Sequence, residues 1–338
     1  MKNILVLGVG GNVSLGILKS LSNSKYDLKI IGSCVSEQSF GMYLCDDFII
    51  SPYASSSNFM EWLIKVCNDF EIDLILTGVE EIILNIQRDI VKFKQNTKTL
   101  FIATDYDKLL IGQNKFLTSK WLKESGCNFP DFTLLDNNEA VNKLIEKNGF
   151  PLIAKPIHGK GSQGIFKINN FQDLELVTDK ELYVLQEYIG TEDSEYTVGC
   201  YVTREKRILK PIIMHRKLSN GTTVFSEIID NELIEQEVYK ICEKFEPIGP
   251  LNIQLRLSNL GKPICFELNV RFSGTTPIRS HFGFTDVDAL IGEYLFGENI
   301  DDFKFRKGVA IRYLNEVYVE NSKFSKENVK LETYGFKL

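Results

Sequence analysis

The sequence predicts an α/β unit built on a parallel sheet, followed by an α+β unit built on antiparallel strands. Three observations carry this. Short apolar runs alternate with helical patterns over roughly residues 1–112, and parallel sheets covered on both faces produce such runs. From residue 150 onward the runs alternate apolar with polar positions instead, as half-buried antiparallel strands do. Between the two lies an amphipathic helix and a proline-containing extended segment.

Taken in order, "NILVLGVGGNVSLGILKSL" reads as a buried strand, a glycine turn and a helix whose Leu15, Leu18 and Leu21 share a face. "LKIIGSC", "IDLILTG" and "TLFIATD" are three more apolar strands, the second following the helical pattern of "FMEWLIKVCNDF". "NKFLTSKWLKES" (114–125) is an amphipathic helix, which "GCNFPDFTLL" turns into an extended segment around Pro130. "NEAVNKLIEKNG" is a helix ending at Gly149, and "FPLIAKPIHGKGSQGIFKI" holds two strands joined by a glycine-rich loop. "YVLQEYI", "EYTVGCYV", "LKPIIMHRKL", "LNIQLRL" and "PICFELNVRF" complete the antiparallel set. The tail, residues 306–338, carries no clear pattern.

Composition narrows the function. The net charge of −6 and pI near 5.4 leave no basic excess to meet nucleic-acid phosphates or an anionic membrane. Seven scattered cysteines with no C-x-x-C pair suggest neither a disulfide framework nor a zinc site, so a reducing cytoplasm is the expected location. The apolar amino-terminal run is broken by glycines and is too short to span a membrane.

Four stretches carry candidate chemistry. In "GKGSQG" (159–164) glycines allow close approach of backbone N–H groups to phosphate oxygens, though a flexible hairpin has the same composition. Lys155 stands four residues before it. "QEYI" (Gln186, Glu187, Tyr188 and Ile189) offers a strand edge whose backbone could pair with a base, and Glu195 an acid for ribose hydroxyls; a solvated acidic turn is the alternative. In "LNIQLRLSNLGKPICFELNVRFSG", Asn252, Gln254 and Arg256 share one strand face, and Glu267, Asn269 and Arg271 share a face of the next, opposite an apolar face of Phe266, Leu268, Val270 and Phe272. Paired across the hairpin, Gln254, Glu267 and Asn269 converge as hard oxygen ligands suited to magnesium, with Arg271 in reach of phosphate oxygens. Exposed strands seldom carry Asn, which weighs against a merely solvated face. Lastly, the glycine turn at Gly10 and Gly11 and the "TGVEE" segment with Glu80 end parallel strands, where open α/β sheets place ligands; helix capping is the competing role for Glu80. The turn misses the G-x-G-x-x-G spacing because position 13 is Val, and no acid ends the second strand, so a nicotinamide dinucleotide is disfavoured. Arg216 in "MHRKL" is a further candidate for a substrate anion, or a member of a strand-end charge pair.

Lys115, Lys155 with "GKGSQG", "QEYI", Glu195, Gln254 and "ELNVR" occur in the order and spacing of ATP-grasp enzymes. The chain most resembles the half-domains of the carbamoyl-phosphate synthase large subunit. The resemblance implies a Rossmann-like domain over residues 1–112 and a two-part ATP-grasp fold over 113–305, with a small lobe at 113–190 and a larger one at 191–305. It implies that Lys115 and Lys155 contact ATP phosphates, that Gly159, Gly161, Ser162 and Gly164 belong to a mobile lid, and that Gln186 to Ile189 hold adenine. Glu195 would bind ribose, Gln254, Glu267 and Asn269 would hold Mg²⁺ (Mn²⁺ as a substitute), and Arg271 would be catalytic together with Lys155. The glycine turn would face the acceptor. One departure is Val270, where the family commonly has Pro before Arg. The expected activity is a carboxylate–amine ligase acting through an acyl phosphate on small-molecule substrates of amino-acid or surface-polysaccharide metabolism. A phosphotransferase and a non-catalytic ATP-binding protein are the alternatives, and a homodimer is compatible with each.

Overall fold

The computed structural model describes residues 1–159, 161 and 163–318. The first sheet contains β1 (Lys2–Leu7), β2 (Leu28–Cys34), β3 (Asp47–Ile50), β4 (Leu74–Thr77) and β5 (Leu100–Phe101) in the order β3-β2-β1-β4-β5, all paired in parallel. Helices α1 (Asn12–Leu21), α2 (Phe59–Asp69), α3 (Glu80–Arg88) and α4 (Ile90–Asn96) connect the strands. The four expected strands are present. The fifth, β3, is an edge strand of four residues with no fully buried position, which apolar periodicity does not mark.

Two helices, α5 (Tyr106–Gln113) and α6 (Lys115–Glu124), lead out of this sheet. Asn114 sets the start of α6, its Oδ1 accepting from Leu117 N at 2.9 Å. A four-stranded antiparallel sheet follows, with β6 (Phe132–Leu134), β7 (Leu152–Pro156), β8 (Phe166–Ile168) and β9 (Tyr183–Glu187) in the order β6-β9-β7-β8. Helices α7 (Asn138–Asn148) and α8 (Phe171–Glu175) accompany it. Gly149 ends α7 at φ 67°, a left-handed conformation that glycine adopts without penalty. This sheet has its own core of Leu135, Leu144, Leu152, Ala154 and Leu185.

The third sheet has six antiparallel strands in the order β14-β13-β10-β11-β12-β15: β10 (Glu195–Val202), β11 (Ile212–Ser219), β12 (Thr222–Ile229), β13 (Gly249–Leu257), β14 (Pro263–Asn269) and β15 (Val309–Ile311). Helices α9 (Glu232–Phe245), α10 (Thr276–His281) and α11 (Asp286–Leu295) complete it. Strand β12 escapes sequence patterning because Thr223 and Ser226 take buried positions. The pairing of β15 with β12 gives part of the carboxy-terminal tail a place in the sheet, while residues 319–338 lie outside the described residues. Unlike the four-stranded sheet, this one shares its core with the parallel sheet: Leu5, Leu7, Ile31 and Phe101 pack in one continuous cluster with Val198, Ile253, Leu255 and Leu268. Burying such side chains contributes roughly 1.5–3 kcal/mol each, so the two sheets support a common body.

Candidate nucleotide and metal site

The hairpin β13–β14 sets the site's floor. Its register places Gln254 opposite Glu267 and Asn252 opposite Asn269, then shifts between Gln254 and Leu255, so that Leu255 faces Cys265. Phe266 is the extra residue of this bulge. Two expectations change as a result. Phe266 does not join Leu268 and Val270 on the core face; it turns to the site, because a one-residue insertion reverses which face a side chain meets. Arg271 does not share the strand face either, since β14 ends at Asn269 and Arg271 N donates to Asn269 O at 2.8 Å in a tight turn.

The side chains of Gln254, Glu267 and Asn269 meet, but the two amides turn their nitrogens, not their oxygens, to the carboxylate. Gln254 Nε2 donates to Glu267 Oε1 at 3.0 Å and Asn269 Nδ2 to the same oxygen at 2.9 Å. The two amide oxygens are held by guanidiniums: Arg216 Nη2 donates to Gln254 Oε1 at 2.6 Å and Arg271 Nη2 to Asn269 Oδ1 at 2.9 Å. Arg271 Nε reaches further, donating to Glu80 Oε1 at 2.9 Å, where Glu80 opens α3 beside the parallel sheet. Glu267 presents a carboxylate; with the two amides turned from their guanidinium partners, their carbonyls would join it in the all-oxygen donor set that suits a hard divalent ion. No cluster of three His, Cys, Asp or Glu side chains suited to a metal occurs among the described residues.

Glu195 lies beside this set with both oxygens occupied. Arg216 Nη2 donates to Oε1 at 2.7 Å and Arg256 Nη2 to Oε2 at 2.8 Å. Burial pushes this carboxyl up, but the two guanidiniums outweigh burial and hold it below the usual carboxylate range. Arg216, expected to face a substrate anion, is buried and bound to Glu195 and Gln254 instead. It belongs to a charge pair.

The opposite wall is cationic. Lys155 on β7 points away from the core residues Leu152 and Ala154, is 9% exposed, and holds Nζ 4.4 Å from the centre of the Phe266 ring. Burial pushes its ammonium down to about 8, with Glu267 drawing it partly back up. Lys115, also 9% exposed, donates from Nζ to Gly159 O at 3.0 Å and so ties α6 to the glycine-rich loop. Among the described residues neither lysine makes an ion pair. Gly161 and Gly164 take left-handed conformations at φ 67° and 69°. A Cβ at Gly221, in the β11–β12 turn, would stand 2.3 Å from Gly161 backbone atoms, so the loop rests on that turn by virtue of glycine. Ser162 lies outside the described residues.

The "QEYI" segment departs from expectation. Strand β9 is internal, flanked by β6 and β7, so the backbone of Gln186 is engaged on both sides and offers no edge. Tyr188 and Ile189 lie beyond the strand, where the Ile189 carbonyl accepts from Arg256 Nη1 at 3.5 Å. The Gln186 side chain is fully buried, its Nε2 donating to Ser119 Oγ at 2.8 Å. Glu187 Oε2 accepts from Asp131 N at 3.3 Å, and the Tyr188 ring lies 4.7 Å from Lys167 Nζ and 5.2 Å from the Arg256 guanidinium. Gly10 and Gly11 lie in the turn before α1, at the carboxyl end of β1; a Cβ on Gly10 would stand 2.8 Å from Ser39 Oγ. Sequence reasoning missed Phe266, hidden by the bulge, and the pairing role of Arg256, hidden because Glu195 lies 61 residues away.

The sequence model of the ATP-grasp domain family matches residues 112–275, the span holding both lysines, the loop and the hairpin. The chain carries an ATP-grasp domain. It is 25% identical over 243 residues to the carbamoyl phosphate synthase large chain of Caldanaerobacter subterraneus subsp. tengcongensis, covering 67% of this chain and 22% of that one. It is 25% identical over 230 residues to the D-alanine–D-alanine ligase of Bacteroides fragilis, covering 63% of this chain and 68% of the ligase. Among solved structures, N5-carboxyaminoimidazole synthetase from Staphylococcus aureus, complexed with ADP, superposes with a TM-score of 0.75 at 18% identity over 93% of this chain and 82% of that one. The chain thus spans about a fifth of the carbamoyl phosphate synthase large chains it matches. The fold likeness also covers the parallel sheet that precedes the matched domain. No helix among the described residues is long and apolar enough to cross a membrane.

Proposed function

We propose that the protein is an ATP- and magnesium-dependent carboxylate–amine ligase that phosphorylates a carboxylate, releases ADP, and joins the acyl group to an amine. The observation that carries this reading is the pair of buried lysines without a carboxylate partner among the described residues, Lys155 lying over Phe266 within electrostatic reach of Glu267. An ammonium in a desolvated site is costly unless an anion completes it, and triphosphate oxygens supply that anion. When bound, magnesium supplies charge neutralisation on the phosphates. Glu267, with the carbonyls of Gln254 and Asn269 turned from their guanidinium partners, would hold it.

Phosphoryl transfer of this kind needs positioning and charge compensation rather than a side-chain nucleophile. Lys115 and Lys155 bind phosphate oxygens on one wall, and Arg271 orients toward the transferred group on the other. Gly161 and Gly164, free to take left-handed conformations, would let the backbone there approach the phosphates and exclude water. Tyr188 and Ile189 receive the base. Glu195 supports ribose recognition only after giving up a guanidinium, so its resting role is to position Arg216 and Arg256. The acceptor lies between the glycine turn and Glu80. The fold neighbours complexed with ADP and the two sequence relatives, each named a synthase or ligase, support this reading.

Mg-ATP should raise the melting temperature, because a ligand bound only by the folded state stabilises it by mass action. Equal melting temperatures in EDTA and in saturating Mg-ATP would falsify nucleotide binding. Release of ADP that depends on adding both a carboxylate and an amine, across a panel of each, separates the ligase from a phosphotransferase.

A further inference from the structure

We propose that Arg312 forms an anion subsite beside the glycine turn, so that the amine accepted by this enzyme carries a carboxylate or phosphate of its own. This rests on the ligase reading and deepens it. Arg312 follows β15 at the edge of the six-stranded sheet and crosses to the parallel sheet, where Nη1 donates to Asn12 Oδ1 and Nη2 to Gly274 O, each at 2.7 Å. It thereby joins the first residue of α1, the loop after β14 and the segment after β15. The junction is tight: a Cβ on Gly274 would stand 2.7 Å from Asn12 Nδ2.

Both partners of Arg312 are neutral amide oxygens. Among the described residues no carboxylate pairs with it, and the first turn of α1 contains no acid. Lys19, two helical turns from Asn12, adds to the local excess: burial, then repulsion from Arg312, lowers its ammonium from the ordinary value. A half-buried guanidinium beside another cation, with no anion among the described residues to neutralise either, suits a site that receives one.

Its location fits the acceptor. Strand order β3-β2-β1-β4-β5 reverses between β1 and β4, and open α/β sheets bind ligands above such a reversal. The turn carrying Gly10, Gly11 and Asn12 forms one wall of that crevice, and Glu80 at the start of α3 forms the other. A molecule spanning it meets a guanidinium at one end and, at the other, the carboxylate that holds Arg271. An amine with an anionic group answers both.

Inorganic phosphate is the probe. With the nucleotide site filled by Mg-AMPPNP, whose own binding is titrated first, calorimetry should show one saturable phosphate site. Arg312→Gln should weaken it about tenfold or more, and Arg312→Lys, which keeps the charge but loses the fork, should fall between. Asn12→Asp provides a second variant, because it sets a carboxylate against the guanidinium at a position where the helix dipole favours an acid; it should weaken phosphate binding, leave AMPPNP affinity unchanged and not lower the melting temperature. Acetate titrated in parallel distinguishes a carboxylate preference from a phosphate one. Equal phosphate affinity in wild type, Arg312→Gln and Asn12→Asp, or the absence of a saturable phosphate site, overturns the proposal. Failure to bind Mg-AMPPNP strikes the ligase reading instead, and the comparison of variants on the free protein still decides the subsite.

Discussion

Lys115 and Lys155 bring charge to the site from the side of the four-stranded sheet without a carboxylate partner among the described residues, whereas on the six-stranded sheet every guanidinium of the site is paired. From Arg256 the chain of contacts runs through Glu195, Arg216, Gln254, Glu267, Asn269 and Arg271 to Glu80. The contrast separates two ways of preparing for a ligand. On the lysine wall burial makes the Lys155 ammonium costly in the free protein, a cost that phosphate would relieve. The paired wall is satisfied at rest, and on the proposed reading its amide oxygens would change partners to meet a cation. Their supports differ as well: the paired wall stands on the core shared with the parallel sheet, the lysine strand on a separate small core.

The contrast breaks most visibly at Glu195. Glu195→Gln leaves two guanidiniums in a buried site without their carboxylate, and should lower unfolding free energy by roughly 3–5 kcal/mol in urea titrations. A loss within about 0.5 kcal/mol would show that the paired wall contributes little to stability. Glu267→Gln comes next. It removes the only carboxylate of the oxygen cluster, so ADP formation should drop by roughly a hundredfold and recover partly in excess Mg²⁺ or Mn²⁺. Wild-type turnover in that variant would return the hairpin to a structural role.

Lys155→Ala tests the other wall. ATP should bind more weakly by roughly 1.5–3 kcal/mol, since a cation on phosphate oxygens is lost, while the melting temperature of the free protein should not fall as it does for Glu195→Gln. A variant that loses stability and keeps its affinity reverses the assignment of the two walls.

The smallest expected effect is on pH dependence. Lys155 titrates at about 8 in the folded protein against 10.5 ordinarily, so between those values the unfolded chain carries the extra proton. Its contribution to stability therefore rises with pH across that window, and below about 8 the full cost of the buried charge is present. ATP affinity runs the other way, falling as pH climbs past 8. Near that pH, binding should take up about half a proton, read from calorimetry in buffers of different ionisation enthalpy; no uptake, or the same uptake in Lys155→Ala, removes the lysine from the phosphate site.

Legibility followed the range of the interactions. Asn114 and Gly149 were readable as helix boundaries because caps act over three or four residues. Gln254 and Glu267 were readable as partners because a short hairpin joins them. The edge role given to "QEYI" was not secure, since β9 is enclosed by strands whose pairing depends on the whole sheet. Phe266 and Arg271 failed for a local reason with a nonlocal cause: a bulge and an early strand end interrupt the alternation on which the reading depended.

Local patterning settled the parallel and antiparallel units and the hairpin that brings Gln254 to Glu267, because periodicity records which face of an element is buried. Tertiary structure decided which faces meet. Arg271 on Glu80 joins residues 191 apart, and Arg312 on Asn12 residues 300 apart. Neither contact leaves a periodic trace, because a guanidinium chooses its carboxylate or carbonyl by proximity in space after the cores have brought the sheets together.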